Sequence, residues 1–352
     1  MPVTTQRGPR VSDDAVIFEL SDPSLTGVAL LHELRRPRRL EFPRRGPTFR
    51  LTYPRPPADR FEYLLELTRR GGGRQIVADP MNPLRAPGPF GPKSVVEFPG
   101  YEEPEWVGDA DAATGRVREL PLESVRLHTT VPALLWSAAD TDPREPLPLL
   151  VVHDGPEYAE YSLLLRLLDH LVDFGETPEF RALLLPPGAG RNELYSASAR
   201  YANALAADLL PGARAEAPYD KPPVLLGSSL GALAGVHAHF RNPGLFGGLF
   251  VQSGSFFRRR FDSHESRFRR FARITRFVGH VHGRSGFASP IPTVVTCGAV
   301  EENLENNHAF AVALQRRGWP VLASWNRDAH NWTAWRDALH PHIAELMLRV
   351  WT

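Results

Sequence analysis

The sequence has a single thiol, few lysines and no long apolar run. Cys297 is the only cysteine in 352 residues, which excludes an intrachain disulfide and any dependence on an oxidising compartment. No stretch approaches the ~18 uninterrupted apolar residues of a membrane-spanning helix. The first residues, Met1–Arg10, lack the apolar run of a secretory signal. Together these absences predict a cytoplasmic protein.

An excess of charge of one sign is missing as well. Lys and Arg total 41 and Asp and Glu total 40, so the net charge is +1. No global field therefore draws the chain to nucleic acid or to a membrane, and neither partner is expected. Lys93 and Lys221 are the only lysines, so nearly all positive charge is arginine, which binds anions in a bidentate manner. Codon bias in a GC-rich genome would give the same excess.

The first part of the chain is rich in predicted β-strands. Short apolar or alternating runs are separated by Pro, Gly and Asp turn signals, a pattern typical of a small β-sandwich. The runs are Ala15–Leu20, Val28–Leu31, Thr48–Tyr53, Phe61–Leu67 and Ser94–Phe98. We assign 1–115 to this N-terminal domain and 116–352 to a second domain, with a linker over Gly108–Thr114.

From about Pro146 the pattern changes to alternating strands and helices. Leu147–His153 is a nearly continuous apolar run, as expected of a strand buried on both faces of a parallel sheet. Ala159–Phe174 carries leucines at helical spacing. Further strands are predicted over Ala182–Leu185, Val224–Leu226, Leu249–Gln252, Thr293–Thr296 and Val321–Trp325, and further helices over Ser196–Leu209, Ala232–Phe240, Asn307–Arg317 and Trp332–Leu348. This alternation predicts an α/β fold with a doubly wound, mostly parallel sheet.

A G-x-S-x-G motif stands where one of these buried strands passes into a helix. Its residues are Gly227, Ser229 and Gly231. A nucleophilic serine needs a sharp turn with small neighbours, so that the strained backbone and the new helix can approach closely. The motif therefore predicts Ser229 as a nucleophile, with the N–H of Leu230 facing the developing oxyanion. Ser228 is a rival only by adjacency.

The base and the acid are expected after later strands, the acid first and the histidine second. His330 follows the last predicted strand across a short loop, which is the position of the base. Glu301 and Glu302 both follow the preceding strand, and we favour Glu301 as the acid. Such an acid holds the imidazole in the right tautomer and stabilises the imidazolium. Asp328 is a third and more distant candidate.

With these residues in place, the chain resembles the enterochelin esterase branch of the α/β-hydrolase esterases. In the second domain the resemblance rests on His153-Asp154-Gly155, Gly227-Ser228-Ser229-Leu230-Gly231, Gln252-Ser253-Gly254-Ser255-Phe256-Phe257, Gly298-Ala299-Val300-Glu301 and Ala329-His330-Asn331-Trp332-Thr333-Ala334-Trp335-Arg336. In the first domain it rests on Asp79-Pro80-Met81-Asn82-Pro83, Phe90-Gly91-Pro92-Lys93-Ser94, Pro99-Gly100-Tyr101 and Pro104-Glu105-Trp106. The latter motifs are similar to those of the immunoglobulin-like domain that precedes the hydrolase domain in such esterases.

The resemblance implies a serine carboxylic-ester hydrolase that needs no cofactor. In this family the serine attacks an ester, often the trilactone of a ferric siderophore, and water releases the acyl group. By position, the resemblance implies a triad of Ser229, His330 and Glu301. Where the family has G-H-D, this sequence has Ala329-His330-Asn331, which keeps the histidine and loses a carboxylate.

The second oxyanion donor is the main departure from the family. Family members often use the residue after an Asp-Gly pair, and here that residue is Pro156, which has no N–H. Gly155, Glu157 or a reshaped loop must then supply the donor, and we choose Gly155. Loss of one donor costs roughly 100- to 1000-fold in rate.

Arginines gather in the segment after the strand Leu249–Gln252. They are Arg258, Arg259, Arg260, Arg267, Arg269, Arg270, Arg273 and Arg276. Apolar residues between them are spaced to bury one helix face and leave the arginines on the other; these are Phe268, Phe271, Ile274 and Phe277. An arginine-lined wall would suit a large anion such as a ferric siderophore, with Arg258 and Arg259 as contacts. A solvated basic face of a packed helix is the alternative.

Arg191 and Trp332 complete the candidate substrate contacts. Arg191 is equally an ion-pair partner for Glu193. Trp332 and Trp335 are spaced by three on a predicted helix, and tryptophans at this spacing are more often core residues than substrate contacts. His153 and His128 have no metal-ligand spacing around them, and no catalytic metal is expected.

Three functions stay open from the sequence. The first is an intracellular esterase similar to enterochelin esterase, and the second is an esterase or acyltransferase that acts on other acyl esters. The third is a catalytically weak ligand-binding protein that keeps a hydrolase fold. The expected partner in each enzyme hypothesis is a small-molecule ester, and the sequence predicts no oligomeric state.

Overall fold

The computed structural model describes residues 8–108, 115–283 and 289–352. The chain divides into two compact units. One comprises Met1–Glu103, Gly298–Glu302 and Asn326–Ala334, and the other comprises Pro104–Cys297, Asn303–Trp325 and Trp335–Thr352. Two short segments that the sequence assigns to 116–352 therefore belong to the N-terminal unit. The predicted linker, beyond Gly108, lies outside the described residues.

Two antiparallel sheets form most of the N-terminal unit. Its strands are β1 (Arg10–Val11), β2 (Ala15–Ser21), β3 (Leu25–His32), β4 (Arg39–Glu41), β5 (Arg44–Arg45), β6 (Thr48–Pro54), β7 (Arg60–Arg69), β8 (Arg74–Val77), β9 (Arg85–Ala86) and β10 (Lys93–Glu97). A four-stranded sheet has the order β1-β2-β6-β5. A six-stranded sheet has the order β4-β3-β7-β10-β9, with β8 paired to β7. All five strands predicted from the sequence are present.

Both sheets contribute side chains to one apolar core. Val16 and Phe18 from the first sheet and Phe61 and Leu65 from the second belong to the same buried cluster. Alternate residues of β2 are buried, as period-two alternation predicts for a strand with one face on the core. The predicted β-sandwich is confirmed.

An eight-stranded sheet forms the centre of the second unit. Its strands are β11 (Arg116–Ser124), β12 (Thr129–Ser137), β13 (Leu149–His153), β14 (Arg181–Leu185), β15 (Val224–Ser228), β16 (Gly248–Gln252), β17 (Thr293–Gly298) and β18 (Val321–Asn326), in the order β11-β12-β14-β13-β15-β16-β17-β18. Strands β14, β13, β15, β16 and β17 pair in parallel, whereas β12 pairs antiparallel with both neighbours. The predicted α/β-hydrolase sheet, doubly wound and mostly parallel, is confirmed.

Helices alternate with these strands. They are α1 (Gly155–Tyr161), α2 (Leu164–Asp173), α3 (Arg191–Leu194), α4 (Ala199–Ala204), α5 (Leu210–Glu216), α6 (Ser229–Arg241), α7 (Phe271–His282), α8 (Leu304–Gln315), α9 (Trp332–Asp337) and α10 (His342–Trp351). A π-helical turn over Leu205–Leu209 joins α4 to α5, and short 3-10 helices cover Glu105–Val107 and Ser263–Arg267. No helix within the described ranges is both long enough and apolar enough to span a bilayer.

Two predicted helices are each broken in two. The prediction over Ala159–Phe174 is wrong at Leu163, whose φ of 52° lies in the left-handed region and ends the first helix. The prediction over Trp332–Leu348 is wrong near Pro341, which cannot donate a backbone hydrogen bond inside a helix. The hairpin β11–β12 had no counterpart in the prediction. Its outer strand has mostly exposed residues at its start and therefore lacks the apolar run of the central strands.

Candidate active site

Ser229 lies on a strained turn between β15 and α6. Its φ of 51° is in the left-handed region, which costs a residue other than glycine about 1–3 kcal/mol. The turn also needs both motif glycines. A Cβ on Gly227 would lie 2.9 Å from the carbonyl carbon of Gly231, and a Cβ on Gly231 would lie 3.1 Å from Oδ2 of Asp154. The rival Ser228 is only 1% exposed at the end of the strand, whereas Ser229 is half-buried.

A second serine touches the candidate nucleophile. The Oγ atoms of Ser229 and Ser255 are 3.2 Å apart, and the Ser255 N–H donates to the Ser229 carbonyl at 3.0 Å. Buried Asn307 fixes the loop that carries Ser255, since it accepts from Gly254 N at 2.8 Å and donates to Gly254 O at 3.1 Å. Sequence reasoning missed Ser255, although a small Ser-Gly-Ser run directly after a buried strand was a usable signal.

The two predicted oxyanion donors both lie in the first turn of a helix. Leu230 is the second residue of α6 and Gly155 is the first residue of α1. First-turn amides have no acceptor within their own helix, so they are available to an anion. A Cβ on Gly155 would come within 2.5 Å of the Leu184 Cα, which explains the glycine. Their role as donors stays a prediction.

Pro156 has a local structural explanation. It is the second residue of α1, where the missing N–H would have had no partner inside the helix. The third residue is Glu157. Gly155 and Glu157, the two alternative donors considered from the sequence, are thus the first and third residues of the helix and both carry first-turn amides.

Arg191 forms a bidentate ion pair with Asp154, the residue before Gly155. Its Nε lies 2.8 Å from Oδ1 and its Nη2 lies 2.7 Å from Oδ2 of a carboxylate that is 2% exposed. The alternative expectation, a pair between Arg191 and Glu193, is wrong. Glu193 instead binds Arg270 and Arg273, the latter at 2.8 Å. Spacing along the sequence favoured the near carboxylate, but the turn after β14 directs Arg191 to a residue far from it in the chain.

Glu301 and His330 are hydrogen-bonded to each other. His330 Nδ1 is 2.8 Å from Glu301 Oε2, and the other carboxylate oxygen accepts from Gly298 N at 2.9 Å. Glu301 is 1% exposed, whereas the His330 side chain is 34% exposed. Desolvation lowers the pKa of His330, but the charge and hydrogen bond of Glu301 outweigh it, so the pKa is raised above its usual 6.5.

The two other acid candidates have different partners. Glu302 pairs with Arg36 at 3.2 Å and with Arg38 at 2.7 Å. Asp328 pairs with buried Arg60 at 2.9 Å. Glu301 is thus the candidate carboxylate that the structure hydrogen-bonds to the histidine.

The predicted triad residues fall into two groups. Ser229 is in the second unit with Leu230 and Gly155, whereas Glu301, His330 and Trp332 are in the N-terminal unit. One group has a serine on a sharp strand-to-helix turn, a serine elbow, and the other has a histidine hydrogen-bonded to a carboxylate. The triad as a whole stays a prediction.

The arginine segment forms an α-helix only in its second half, as α7, after the 3-10 helix over Ser263–Arg267. That helix buries Phe271 and Ile274, as predicted, while Phe277 is half-buried. Arg258 is half-buried with its guanidinium 5.2 Å from the ring centre of Phe261, and Arg259 is exposed. A cavity of about 440 Å³ is lined by Arg258, Arg259, Arg260, Ala272, Thr275, Arg276, Gly279 and His282. A local basic surface therefore exists, and its ligand stays a prediction.

The two tryptophans of α9 differ in burial. Trp335 is 7% exposed and donates from Nε1 to Ser253 Oγ at 3.0 Å, so it is a core residue. Trp332 at the start of the helix is half-buried. A substrate contact at Trp332 stays a prediction.

Within the second unit, His170, Glu176 and His340 have ligand atoms close enough to one another to bind a metal ion. His170 and His340 each lie near Glu176, with Nε2 to carboxylate distances of 3.3 and 2.7 Å. These separations are also those of direct hydrogen bonds. None of the predicted catalytic residues belongs to this group, and the prediction of metal-free catalysis stays a prediction.

Comparison with known proteins gives structural matches alone. No protein-family model matches the chain, and no curated protein matches it. An enterobactin esterase from Shigella flexneri, solved in the presence of 2,3-dihydroxy-N-benzoyl-serine, matches with a TM-score of 0.77 and 19% identity, over 99% of this chain and 98% of the other. Ferric enterobactin esterase from Salmonella typhimurium matches with a TM-score of 0.78 and 19% identity, over 98% and 97% of the two chains.

A shorter match covers part of the chain. A ferulic acid esterase from the anaerobic fungus Anaeromyces mucronatus matches with a TM-score of 0.52 and 13% identity, over 67% of this chain and 95% of the other. At these identities the matches establish the fold, an α/β hydrolase preceded by a small β-sandwich.

Proposed function

We propose that this protein is a serine carboxylic-ester hydrolase with Ser229 as nucleophile, His330 as general base and Glu301 as the acid. The observation that carries the proposal is the left-handed φ of Ser229 between two glycines that leave no room for a Cβ. Left-handed backbone at a residue other than glycine is costly, and such strain clusters at functional sites. The hydrogen bond between Glu301 and His330 supports it further.

The proposed reaction follows the chemistry of these groups. His330 Nε2 takes the proton of the Ser229 hydroxyl as Oγ attacks the ester carbonyl, and Glu301 stabilises the imidazolium through Nδ1. The N–H groups of Leu230 and Gly155 bind the oxyanion. The tetrahedral intermediate expels the alcohol, which takes the proton from His330. Water then attacks the acyl-enzyme while His330 takes its proton. His330 returns that proton to Ser229 Oγ as the carboxylic acid leaves.

We propose an ester of a catecholate siderophore as the substrate, the trilactone included. The full-length matches are to enterobactin esterases, and the partial match is to a ferulic acid esterase. One enterobactin esterase was solved in the presence of 2,3-dihydroxy-N-benzoyl-serine, and ferulic acid is likewise an aromatic acid. The basic surface of Arg258 and Arg259 would suit an anionic ferric complex, and Arg191 and Trp332 are further proposed contacts. We propose a cytoplasmic location together with this substrate.

The alternative of a weak ligand-binding protein has one observation in its favour, the proline at the expected donor position. Because Pro156 occupies the second position of α1, Gly155 keeps its amide at the first. That arrangement supports a working oxyanion hole and favours the enzyme hypothesis. Hydrolysis of other acyl esters, or acyl transfer, would use the same residues.

A fluorophosphonate probe tests the nucleophile. We expect the intact protein to be labelled on Ser229, as identified by mass spectrometry of peptides, and Ser229→Ala to lose both labelling and ester turnover. Ser228→Ala is the matched control, because it removes the adjacent hydroxyl and should retain labelling. A folded wild-type protein that is not labelled, or one labelled elsewhere, would contradict the proposal.

A substrate panel then separates the esterase hypotheses. We expect kcat/KM for ferric and iron-free enterobactin to exceed that for a feruloyl ester and for a simple acetyl ester. A preference for the simple esters would contradict the siderophore substrate and leave the esterase proposal standing. Product formation that requires an acceptor alcohol would indicate acyl transfer instead.

A further inference from the structure

Arg60 binds the loop that carries His330. It is the first residue of β7 and is 2% exposed. Its Nη1 donates to Asp328 Oδ2 at 2.9 Å and to Asn331 Oδ1 at 3.1 Å, and its Nη2 donates to Glu62 Oε1 at 3.3 Å. Asp328 and Asn331 stand on either side of His330 in the sequence, so one guanidinium holds both flanks of the loop.

The same two side chains close the loop on itself. Asp328 Oδ1 accepts from Ala329 N at 2.6 Å and from Asn331 Nδ2 at 3.1 Å. Asn331 Oδ1 also accepts from Ala334 N at 2.8 Å, at the start of α9. A charge-assisted bond from Arg60 therefore ends in a short network that fixes the backbone before and after the histidine.

Apolar contacts hold the acid and the base in the same way. Val300 precedes Glu301 and Ala329 precedes His330, and both belong to the buried core cluster of the sandwich, with exposures of 4% and 0%. The two loops also meet directly, since a Cβ on Gly298 would lie 2.2 Å from the Asp328 carbonyl oxygen. A further backbone bond runs from Asp59 N to Arg327 O at 2.7 Å.

We infer that Arg60 is a positioning residue for the acid–base pair, and that the sandwich is the scaffold that sets the Glu301–His330 geometry. The inference rests on the proposed function. It assigns to the N-terminal unit a role in the chemical step, rather than one confined to stability or to substrate capture. Arg60 acts through Asp328 and Asn331, the residues of the His330 loop to which it donates hydrogen bonds.

A purely structural role of Arg60 and a positioning role predict different kinetics for the folded variants. Loss of Arg60 leaves the buried carboxylate of Asp328 without its partner, so any variant is expected to unfold at a lower temperature. A purely structural role would leave each folded molecule with normal chemistry. A positioning role changes kcat, the labelling rate and the pH profile of the folded enzyme.

The pH profile is informative because Arg60 does not act on His330 directly. The charges that most affect the pKa of His330 are those of Glu301, Glu33 and Arg38. Glu301 raises this pKa, so a loosened Glu301–His330 bond lowers it. The acid limb of kcat/KM should then move to lower pH in a variant whose loop is released.

The experiment compares Arg60→Met with Arg60→Lys and with Arg69→Met. The last is a matched control, because Arg69 is in the same strand with a side chain that is 49% exposed. All variants are assayed with an ester substrate and a fluorophosphonate probe, well below the unfolding temperature of each. We expect Arg60→Met to lose about 100-fold in kcat and in labelling rate with little change in KM, as for a misplaced catalytic group. Arg60→Lys should recover part of this loss, and Arg69→Met should match the wild type.

Asn331→Ala serves if Arg60→Met does not fold. It removes one acceptor of Arg60 and keeps the Arg60–Asp328 ion pair, and we expect the same changes at about 10-fold. Normal kcat, labelling and pH profile in folded Arg60→Met, or in folded Asn331→Ala, would overturn the inference while Ser229 labelling leaves the proposed function intact. If wild-type Ser229 is not labelled at all, the proposed function fails first.

Discussion

The serine elbow and the Glu301–His330 pair are positioned by different means. The elbow depends on consecutive residues, since the strain at Ser229 and the glycines on either side of it lie within one turn. The acid–base pair depends on partners far away in the chain, because Arg60 and Asp328 are separated by 268 positions. The turn of the proposed nucleophile is thus encoded locally, whereas the loop of the proposed base is held by a residue far away in the sequence.

Replacement of Glu301, the proposed acid, should cause the largest loss of kcat. We expect Glu301→Gln to lower kcat by about 10⁴-fold, because an amide at this position favours the wrong imidazole tautomer. The measurement is steady-state ester hydrolysis at pH 8.

Glu302→Gln is the matched control for the acid. Glu302 bonds to arginines that are more than half exposed, and such a salt bridge contributes ~1 kcal/mol or less, so a change below about fivefold is expected. A larger loss in Glu302→Gln than in Glu301→Gln would exchange the two assignments.

A side chain at Gly227, in the turn that carries Ser229, should cause the next largest loss, measured as the rate of fluorophosphonate labelling. We expect Gly227→Ala to slow fluorophosphonate labelling by about 100-fold, because the new methyl meets the Gly231 backbone and must displace the turn. Gly279→Ala in α7 is the control, since a Cβ there meets no neighbour and the substitution should stabilise the helix by about 0.5–1 kcal/mol. Equal labelling rates in both variants would show that the turn tolerates a side chain at Gly227. The position of Ser229 would then not depend on this glycine.

Ser255→Ala should have a smaller effect. It removes the hydroxyl that lies 3.2 Å from Ser229 Oγ, and the loss of one hydrogen bond corresponds to about a 3- to 10-fold change in kcat. Pre-steady-state acylation is the measurement, because it isolates the step in which Ser229 attacks. An unchanged acylation rate would reduce Ser255 to a packing role.

The pH profile should show the smallest change. His330 must be neutral to accept a proton, so kcat/KM should fall as the pH drops through its pKa, which Glu301 raises above 6.5. In Glu301→Gln the residual activity should persist to lower pH. An acid limb below 6.5 in the wild type would indicate that the pair is not formed in the active enzyme.

Sequence reasoning found what is encoded locally or by order along the chain. The central strands were predictable because all residues of β13 to β16 are buried, which leaves continuous apolar runs. Glu301 and His330 were predictable from the order in which strands end. The partner of Arg191 was not, because Asp154 lies 37 positions away and only the folded sheet brings it near. The contact of Arg60 with Asp328 was not predictable for the same reason, because the two residues are 268 positions apart and Arg60 is one of many arginines.

The burial of Ala329 in the sandwich core has a consequence for protein engineering. Ala329 and Val300 come late in the sequence but are core residues of the N-terminal unit. The sequence before residue 116 therefore cannot be exchanged for that of a relative without changing the surroundings of these two residues. A chimera that joins this hydrolase sheet to the sandwich of a relative would have to exchange Gly298–Glu302 and Asn326–Ala334 together with the strands. A crossover placed only between residues 115 and 116 would surround Val300 and Ala329 with core residues of the relative instead of their own.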